Sequence, residues 1–433
     1  MTGGGIGFVT PGPDSLWRQG RFMRLWSAQT VSLLGDAVSF LALPLTAILV
    51  LHANALQMGV MVALGGLPSI LFGLLIGAWI DRRARRPILI AADIGRFALL
   101  VVIPILHEFD HLTISVLYVI TVLVGFLSLS FEVANRSLLP SLVDRRRLTD
   151  ANGKLELSRS ASEIAGPALA GGLVQLLTAP LAIGFDALSF LISSLILKTI
   201  DVREEIASES SGETRLWDDV RGGARFVATH PVIRAIFASS GTLSLFDAML
   251  EAVFLLYLTR SLGLSAALIG LIAAAGNVGF LVGALLTPIS NRLGTGSTII
   301  CGVALLAVGD LVVPAVSRST PMVIPLLVGA HFLFGLGLTL YNVQQTSTRQ
   351  SMTPDGMLGR MNAGYRFLVS GVGPLGALAG GALGAAIGFR AALFVAGGGE
   401  LGAVAWLLFS PVRSLGSLPA ELAAPATDPA EPR

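Results

Sequence analysis

Long apolar runs dominate the chain, and short polar or Gly/Pro-containing segments separate them. Each run approaches or exceeds the roughly 20 residues that a helix needs to cross the hydrocarbon of a bilayer. The pattern predicts twelve spans, six in each half of the chain: 25–51, 57–80, 88–106, 113–139, 155–178, 180–197, 232–259, 264–290, 297–316, 321–347, 361–387 and 389–410. Several junctions, such as Thr178-Ala179-Pro180, are so short that consecutive helices must be antiparallel neighbours.

Composition removes most other classes of protein. Of 433 residues, 53% are hydrophobic and 13% are charged, a charge content about half that of soluble domains. A net charge of +2 gives no broad basic surface for nucleic acid, and the single Cys301 excludes a disulfide framework. His52, His107 and His111 lack the ligand spacing of a metal site, and no Walker loop is present. We therefore expect neither a metal nor a cofactor.

The basic residues set the orientation. Most lie in the N-terminal segment and in loops that follow even-numbered spans, whereas the opposite face has only Arg260, Arg318 and Arg390. The positive-inside rule therefore places both termini in the cytoplasm. The expected organisation is a cytoplasmic tail (1–24), a six-helix bundle (25–200), a cytoplasmic linker (201–231), a second six-helix bundle (232–410) and a disordered cytoplasmic tail (411–433).

The linker contains apolar residues at helical spacing, including Leu216, Trp217 and Val220. This pattern fits a helix lying at the membrane interface, and a plain linker fits equally well.

The two halves resemble each other in sequence. Ser32-Leu33-Leu34-Gly35-Asp36-Ala37 is echoed by Ser244-Leu245-Phe246-Asp247-Ala248, with Asp247 211 positions after Asp36. Gly166-Pro167 is echoed by Gly373-Pro374 at an offset of 207. Because each unit has six helices and starts on the same side, the repeats are parallel. Such repeats place a binding site at the midplane between the two halves.

The loop between the second and third spans, Gly77 to Pro87, resembles the G-x-x-x-D-R-x-G-R-R signature of the major facilitator superfamily, with Ala84 at the usual glycine. The first helix, Leu25 to Asp36, and the segment from Leu139 to Gly172 are similar to the drug and siderophore exporters of that superfamily, which include macrolide-efflux and enterobactin-exporter proteins. The resemblance implies an all-α membrane protein with twelve transmembrane helices in two pseudo-symmetric six-helix bundles. It implies a transporter and not an enzyme.

Two motifs take their roles from this resemblance. The gating loop consists of Gly77, Asp81, Arg82, Arg85 and Arg86. In it, Asp81 would act as a latch that caps the eleventh helix near residues 359–361; alternatively, the arginines only fix topology. The antiporter-like motif, a variant of G-P-x-x-G-G, consists of Gly166, Pro167 and Gly171. Close helix packing explains its small residues equally well.

Acidic residues inside the apolar runs are the candidates for proton coupling. Asp36 lies near mid-membrane, where a charge costs on the order of 3 kcal/mol. Asp247 and Glu251 are one helical turn apart and share a face of the seventh span. Neighbouring acids in a low dielectric hold protons more readily, as a proton carrier requires. The alternative is that these acids only make interhelical hydrogen bonds.

Two further sets complete the candidate site. Glu132, Arg136 and Arg366 would form a cytoplasmic gate, although arginines there also fit snorkelling to headgroups. Asn342, Gln344 and Gln345 in the tenth span would line a substrate cavity, although some of the polar residues there fit a packing role instead.

Together these features predict a cell-membrane exporter of a hydrophobic or amphipathic small molecule, driven by proton antiport through alternating access. Its partners would be the small-molecule substrate, protons and the lipid bilayer, and it would work as a monomer. A siderophore exporter or a lysolipid transporter of the same fold stays open, as does a non-transporting scaffold or sensor. Buried acids in both halves argue against the scaffold, because packing alone has no need of them.

Overall fold

A computed structural model describes residues 16–201, 216–290 and 294–416, and almost all of them are helical. The helices are α1 Gly20–Leu45, α2 Ala55–Asp81, α3 Arg85–Glu108, α4 Ile114–Leu142, α5 Leu148–Leu176, α6 Ala179–Leu197, α7 Leu216–Thr229, α8 Pro231–Leu256, α9 Ala266–Gly276, α10 Val278–Ser290, α11 Thr295–Ala315, α12 Val323–Ser351, α13 Leu358–Ile387 and α14 Phe389–Leu408. The pair α9 and α10 is one span interrupted at Asn277. The predicted order of six spans followed by six more is therefore confirmed.

Eleven helical segments in the described ranges are long and apolar enough to cross a membrane. The twelfth predicted span, α5, is long enough but not apolar enough to be counted with them. Its first half carries several charged residues, among them Asp150, Lys154 and Glu156. These residues occupy the end of the helix next to the arginine-rich segment 145–147. Such a helix can begin outside the hydrocarbon and enter it with its second half.

Several helices begin earlier than the hydrophobic pattern predicts. The first starts at Gly20 rather than at residue 25, and the fifth starts at Leu148 rather than at residue 155. Polar residues fill these extra turns, and a prediction based on apolar runs assigns them to loops. In α1, for example, Arg24 Nη1 donates a 2.6 Å hydrogen bond to the carbonyl of Thr199 at the end of α6.

The internal repeat extends to a backbone irregularity. A π-helical turn ends α1 at Thr46–Val50, and another ends α8 at Tyr257–Ser261. The second turn lies 211 positions after the first, the same offset that relates Asp36 to Asp247. The two bundles therefore share local geometry as well as sequence.

Within a bundle, helices approach closely at small residues. A Cβ atom built on Gly302 of α11 would lie 2.8 Å from the carbonyl oxygen of Gly337 on α12. Helix association in lipid lacks the hydrophobic drive that water provides, so it depends on such tight van der Waals contact. The absence of side chains at these two positions lets α11 and α12 pack backbone to backbone.

The linker contains a helix, which is one of the two structures that its sequence allowed, and the C-terminal segment is more ordered than predicted. In the linker, α7 packs on the start of α13, where Val227 joins a buried cluster with Ile233, Phe237 and Met361. The predicted disordered tail from residue 411 is wrong for its first residues, because Pro411–Ser414 forms a 3₁₀ turn that buries Val412 completely. The predictions for residues 1–15, 202–215 and 417–433 lie outside the described residues.

Candidate functional site

The two bundles meet away from the basic end, which we define as the end where α1 begins and α14 finishes. At the opposite end, called the far end below, α2 touches α13 and α5 touches α9. A Cβ atom on Gly59 would lie 2.9 Å from the Cα of Gly381, and one on Gly171 would lie 3.0 Å from the Cα of Gly270. The same two Cβ atoms would lie 2.5 Å from the carbonyl oxygen of Ala377 and 2.4 Å from that of Ala266. Real Cβ atoms essentially never come this close to another atom, so glycine is required at both contacts.

The sequence positions of these four glycines follow the internal repeat. Gly270 lies 211 positions after Gly59, and Gly381 lies 210 positions after Gly171. The pseudo-two-fold axis therefore exchanges one contact for the other, and the far end is closed by two copies of the same backbone contact.

Polar groups add to the contact between bundles. Arg260 Nη2 donates a 2.8 Å hydrogen bond to the carbonyl of Ala53. Nearer the middle, Asn277 Nδ2 donates a 2.6 Å hydrogen bond to the carbonyl of Glu163 on α5. His331 Nε2 lies 3.0 Å from Asn277 Oδ1 and so fixes the amide.

A cavity of 480 Å³ lies between the bundles. One wall comes from α1, α2 and α5, and the other comes from α8 to α12. Its surface is mostly apolar and partly aromatic, with contributions from Phe40, Phe254, Phe280 and Phe334. Neither lysine nor arginine is among the described residues that line it. Such a cavity suits an apolar or amphipathic molecule.

Three carboxylates face this cavity. Asp247 and Glu251, predicted from sequence to share a face of one helix, both line it and both are exposed to it. Asp310 on α11 lines it as well. Behind Asp310, Glu400 on α14 is fully buried, and carboxylate oxygens of Asp247, Asp310 and Glu400 lie within 4.8 Å of one another. We call these three residues the second-bundle triad.

The first bundle also has acids on its first, third and sixth helices, and there an arginine balances their negative charge. Asp93 and Arg96, one turn apart on α3, form a buried ion pair, and Arg96 Nη1 lies 3.7 Å from Asp36 Oδ1. The guanidinium also stacks on Phe131 and Phe190, with its carbon 4.5 Å and 3.9 Å from the ring centroids. Asp36, the first predicted coupling residue, therefore shares its surroundings with a fixed positive charge.

Sequence reasoning missed three buried acids: Asp186, Asp310 and Glu400. Asp186 accepts a 3.1 Å hydrogen bond from Ser189 on α6. Each is a single acid in an otherwise apolar run, and that isolation was the available signal. Their grouping was not visible, because it depends on the first, third and sixth helices of a bundle meeting in its core.

The gating loop adopts ordinary backbone geometry. Ala84, where the superfamily signature has glycine, has φ −65° and ψ 128°, so an L-residue fits without strain. Arg86 donates to the carbonyls of Leu197 at 3.1 Å and Lys198 at 2.5 Å, and thereby caps the end of α6. Asp81 is the last residue of α2, and its side chain lies outside the described residues.

The antiporter-like motif lies at close contacts between helices and between the two bundles. Gly166 faces the Cβ of Ala37 on α1, Pro167 lines the cavity, and Gly171 makes the far-end contact already described. The small residues thus serve close packing both within the first bundle and between bundles.

The predicted gate residues are exposed at the basic half. Glu132 Oε1 accepts a 2.6 Å hydrogen bond from Arg136 Nη2, and their side chains are 47% and 72% exposed. Arg366 is also exposed, and among the described side chains no ion pair joins it to Glu132. The structure therefore keeps these residues of the two bundles apart.

The predicted cavity residues of the tenth span lie elsewhere. None of Asn342, Gln344 and Gln345 lines the cavity between the bundles. Gln344 and Gln345 are buried at 3% exposure each, and Gln345 Nε2 donates a 3.1 Å hydrogen bond to Thr346. The cavity lies against the part of α12 that carries Leu327, His331 and Phe334, nearer the far end. The prediction chose the polar C-terminal part of α12, whereas the cavity is lined by its more apolar N-terminal part.

Two six-helix bundles with a central cavity define a major facilitator-type transporter. Known structures agree on the fold: a bacterial homologue of the iron transporter ferroportin in its inward-facing state matches with a TM-score of 0.72 at 21% identity, covering 91% of this chain and 98% of that one. The outward-facing state of the ferroportin homologue matches with a lower TM-score, 0.57, at 20% identity, covering 90% and 98%.

The sequence matches a family model described as transmembrane secretion effector over residues 12–430, and the chain belongs to this family. Its relatives include the multidrug efflux pump Tap of Mycolicibacterium fortuitum, 25% identical over 82% of this chain and 87% of the relative. The uncharacterized MFS-type transporter YfiS of Bacillus subtilis (strain 168) is 26% identical over 87% and 89%. The protein is thus a multi-pass membrane transporter with efflux-type relatives.

Proposed function

We propose that the protein exports a hydrophobic or amphipathic small molecule across the cell membrane in exchange for protons. The observation that carries the proposal is the apolar cavity between the bundles, whose charged groups are acids, above all Asp247 and Glu251. An apolar wall binds a substrate of this kind, and an acid without a neighbouring cation can take up and release a proton. The efflux pump Tap among the relatives supports export.

Alternating access is the proposed mechanism, with the bundles of residues 25–200 and 232–410 rocking against each other. The far-end glycine contacts and the higher TM-score to an inward-facing structure support an inward-facing state here. In this proposal the basic end faces the cytoplasm, together with both termini. Opening the far end would separate Gly59 from Gly381 and Gly171 from Gly270. The protein would work as a monomer, because the cavity is built from one chain.

Closure of the basic end is proposed to use the gate and the loop motif. Glu132 and Arg136 of α4 would approach Arg366 of α13 when the far end opens, and Asp81 would cap the start of α13. A charge-swap experiment tests this idea: Glu132→Arg should impair transport, and adding Arg366→Glu should restore part of it. Equal activity of the single and double variants would argue against the gate.

Transport itself is tested by accumulation of a compound panel that includes lipophilic drugs, siderophores and lysophospholipids. Cells expressing the wild type should accumulate less of at least one compound, and collapse of the proton gradient should abolish the difference. Asp36→Asn and Glu251→Gln should lose coupled export, whereas Glu108→Gln, an exposed acid at the end of α3, should retain it. If no compound responds to expression or to the gradient, the exporter proposal fails.

Orientation has its own test. In a Cys301→Ser background, Arg225→Cys introduces a single cysteine at an exposed position of α7, where it can be labelled. Labelling from the cytoplasmic side alone is expected. Labelling by an impermeant reagent in intact cells would reverse the assigned orientation.

A further inference from the structure

The acids of the second-bundle triad have no arginine or lysine beside them among the described ion pairs, whereas the acids of the first bundle have Arg96. In the first bundle, Arg96 lies against both Asp93 and Asp36. In the second bundle, the described salt bridges include none to Asp247, Asp310 or Glu400. Burying several carboxylates without a positive partner is costly, so the negative charge of the triad must be neutralised, either by bound protons or by a metal ion.

The surroundings of Glu400 favour the metal ion. Its side chain has 0% exposure, and neither carboxylate oxygen accepts a hydrogen bond from a described donor group; the polar group that it meets is the carboxyl of Asp310. Asp310 Oδ2 is likewise buried without a donor group. Because no N–H or hydroxyl group holds them, these carboxylate oxygens are available as metal ligands.

The geometry fits a metal ion. Calcium-sized ions bind oxygen at about 2.3–2.6 Å, so oxygens on one ion lie up to about 5 Å apart. The three carboxylates offer oxygens within 4.8 Å of one another. A set made only of carboxylate oxygens selects hard cations such as Ca²⁺ or Mn²⁺ over ions that prefer nitrogen or sulfur.

An ion can reach this position from the cavity. Asp247 and Asp310 both line the cavity, and Glu400 lies directly behind them. The triad therefore extends from the cavity surface into the wall: Asp247 is exposed to the cavity, and Glu400 is buried behind Asp310. Glu251, one turn further along α8, also lines the cavity and adds negative charge near Asp247.

We propose that Asp247, Asp310 and Glu400 form a binding site for one hard divalent cation of the size of Ca²⁺ or Mn²⁺. The site is independent of which molecule the protein exports. Because carboxylates bind metal in their ionised form, metal binding at this site competes with the proton uptake proposed for Asp247.

The test uses the full-length protein, stripped with chelator and reconstituted in nanodiscs, with Mn²⁺ as the probe. Electron paramagnetic resonance of free Mn²⁺ should show one bound ion per protein at pH 7.5, and Ca²⁺ should compete for it. Glu400→Gln and Asp247→Asn should each weaken Mn²⁺ binding at least about 10-fold. The second variant changes an exposed side chain, so it reports on the site even if Glu400→Gln folds poorly.

The matched control is Asp186→Asn, which removes a buried acid from the sixth helix of the other bundle. It should leave Mn²⁺ affinity unchanged. If the wild type binds no Mn²⁺ up to millimolar concentrations, the triad holds protons alone and the proposal is wrong. Binding that survives both Glu400→Gln and Asp247→Asn would also overturn it, because the ion would then lie elsewhere.

Discussion

Asn277 is joined to Glu163 across the two bundles, with its side-chain amide donating a 2.6 Å hydrogen bond to the Glu163 carbonyl. Asn277 lies at the break between α9 and α10, where the helix offers a side chain toward α5. His331 holds the other end of the amide at 3.0 Å. The relationship ties the middle of the second bundle to the backbone of the first in this conformation.

Asn277→Ala should weaken the closed far end. Loss of one such hydrogen bond costs about 0.5–1.5 kcal/mol, which is a shift of about 2- to 10-fold in the population of this state. Ala55→Cys, buried at 2% exposure in the far-end contact, reports that population through its rate of alkylation in a Cys301→Ser background. Asn152→Ala is the control, because within the described part of the chain the Asn152 amide donates to the carbonyl of Leu148 in its own helix and not to the second bundle. Equal rates in the two variants would show that Asn277 does not hold the bundles together.

Gly171→Val should open the far end more strongly. Its Cβ would lie 3.0 Å from the Cα of Gly270, and overpacking of this kind costs typically about 1–3 kcal/mol. Faster alkylation of Ala55→Cys is again the measurement. The neighbouring Gly172 has nothing within 4 Å of a built Cβ, so Gly172→Val should leave the rate unchanged. A Gly171→Val variant that labels like wild type would contradict the glycine contact.

Arg96→Met should destabilise the first bundle by about 3–5 kcal/mol, because it leaves Asp93 buried without its partner. Thermal unfolding in detergent measures the effect. Adding Asp93→Asn should recover part of the loss, since the uncompensated charge is then removed. Arg136→Met, at a side chain 72% exposed, should change the melting temperature little. The prediction fails if Arg96→Met and Arg136→Met unfold alike.

Tyr341→Phe should cost the second bundle about 1 kcal/mol. The Tyr341 hydroxyl lies 2.6 Å from Ser240 Oγ in a buried contact between α12 and α8, and Tyr365 Oη donates to the same Ser240 oxygen at 3.2 Å. A double-mutant cycle with Ser240→Ala isolates the pair. Additive effects of the two substitutions would show that the hydrogen bond contributes nothing to stability.

The fold was largely readable from sequence because span length and loop charge are imposed by the bilayer itself. The shared face of Asp247 and Glu251 was also readable, since helical spacing is local. The residues that meet Asp247 in space could not be predicted. Asp310 and Glu400 come from α11 and α14, and nothing in either segment indicates that they approach Asp247. The structure also places the cavity against another stretch of α12 than the one predicted, for a related reason. Polarity identifies Gln344 and Gln345, but packing between helices decides which stretch of α12 faces the cavity.

The glycine contacts at the far end have a consequence for the energetics of the transport cycle. Surfaces that close on ordinary side chains must freeze rotamers each time they meet, at up to about 2 kcal/mol for a long side chain. Gly59, Gly171, Gly270 and Gly381 have no rotamers to freeze. Closing these contacts is therefore free of side-chain entropy, and backbone shape alone determines how well they fit.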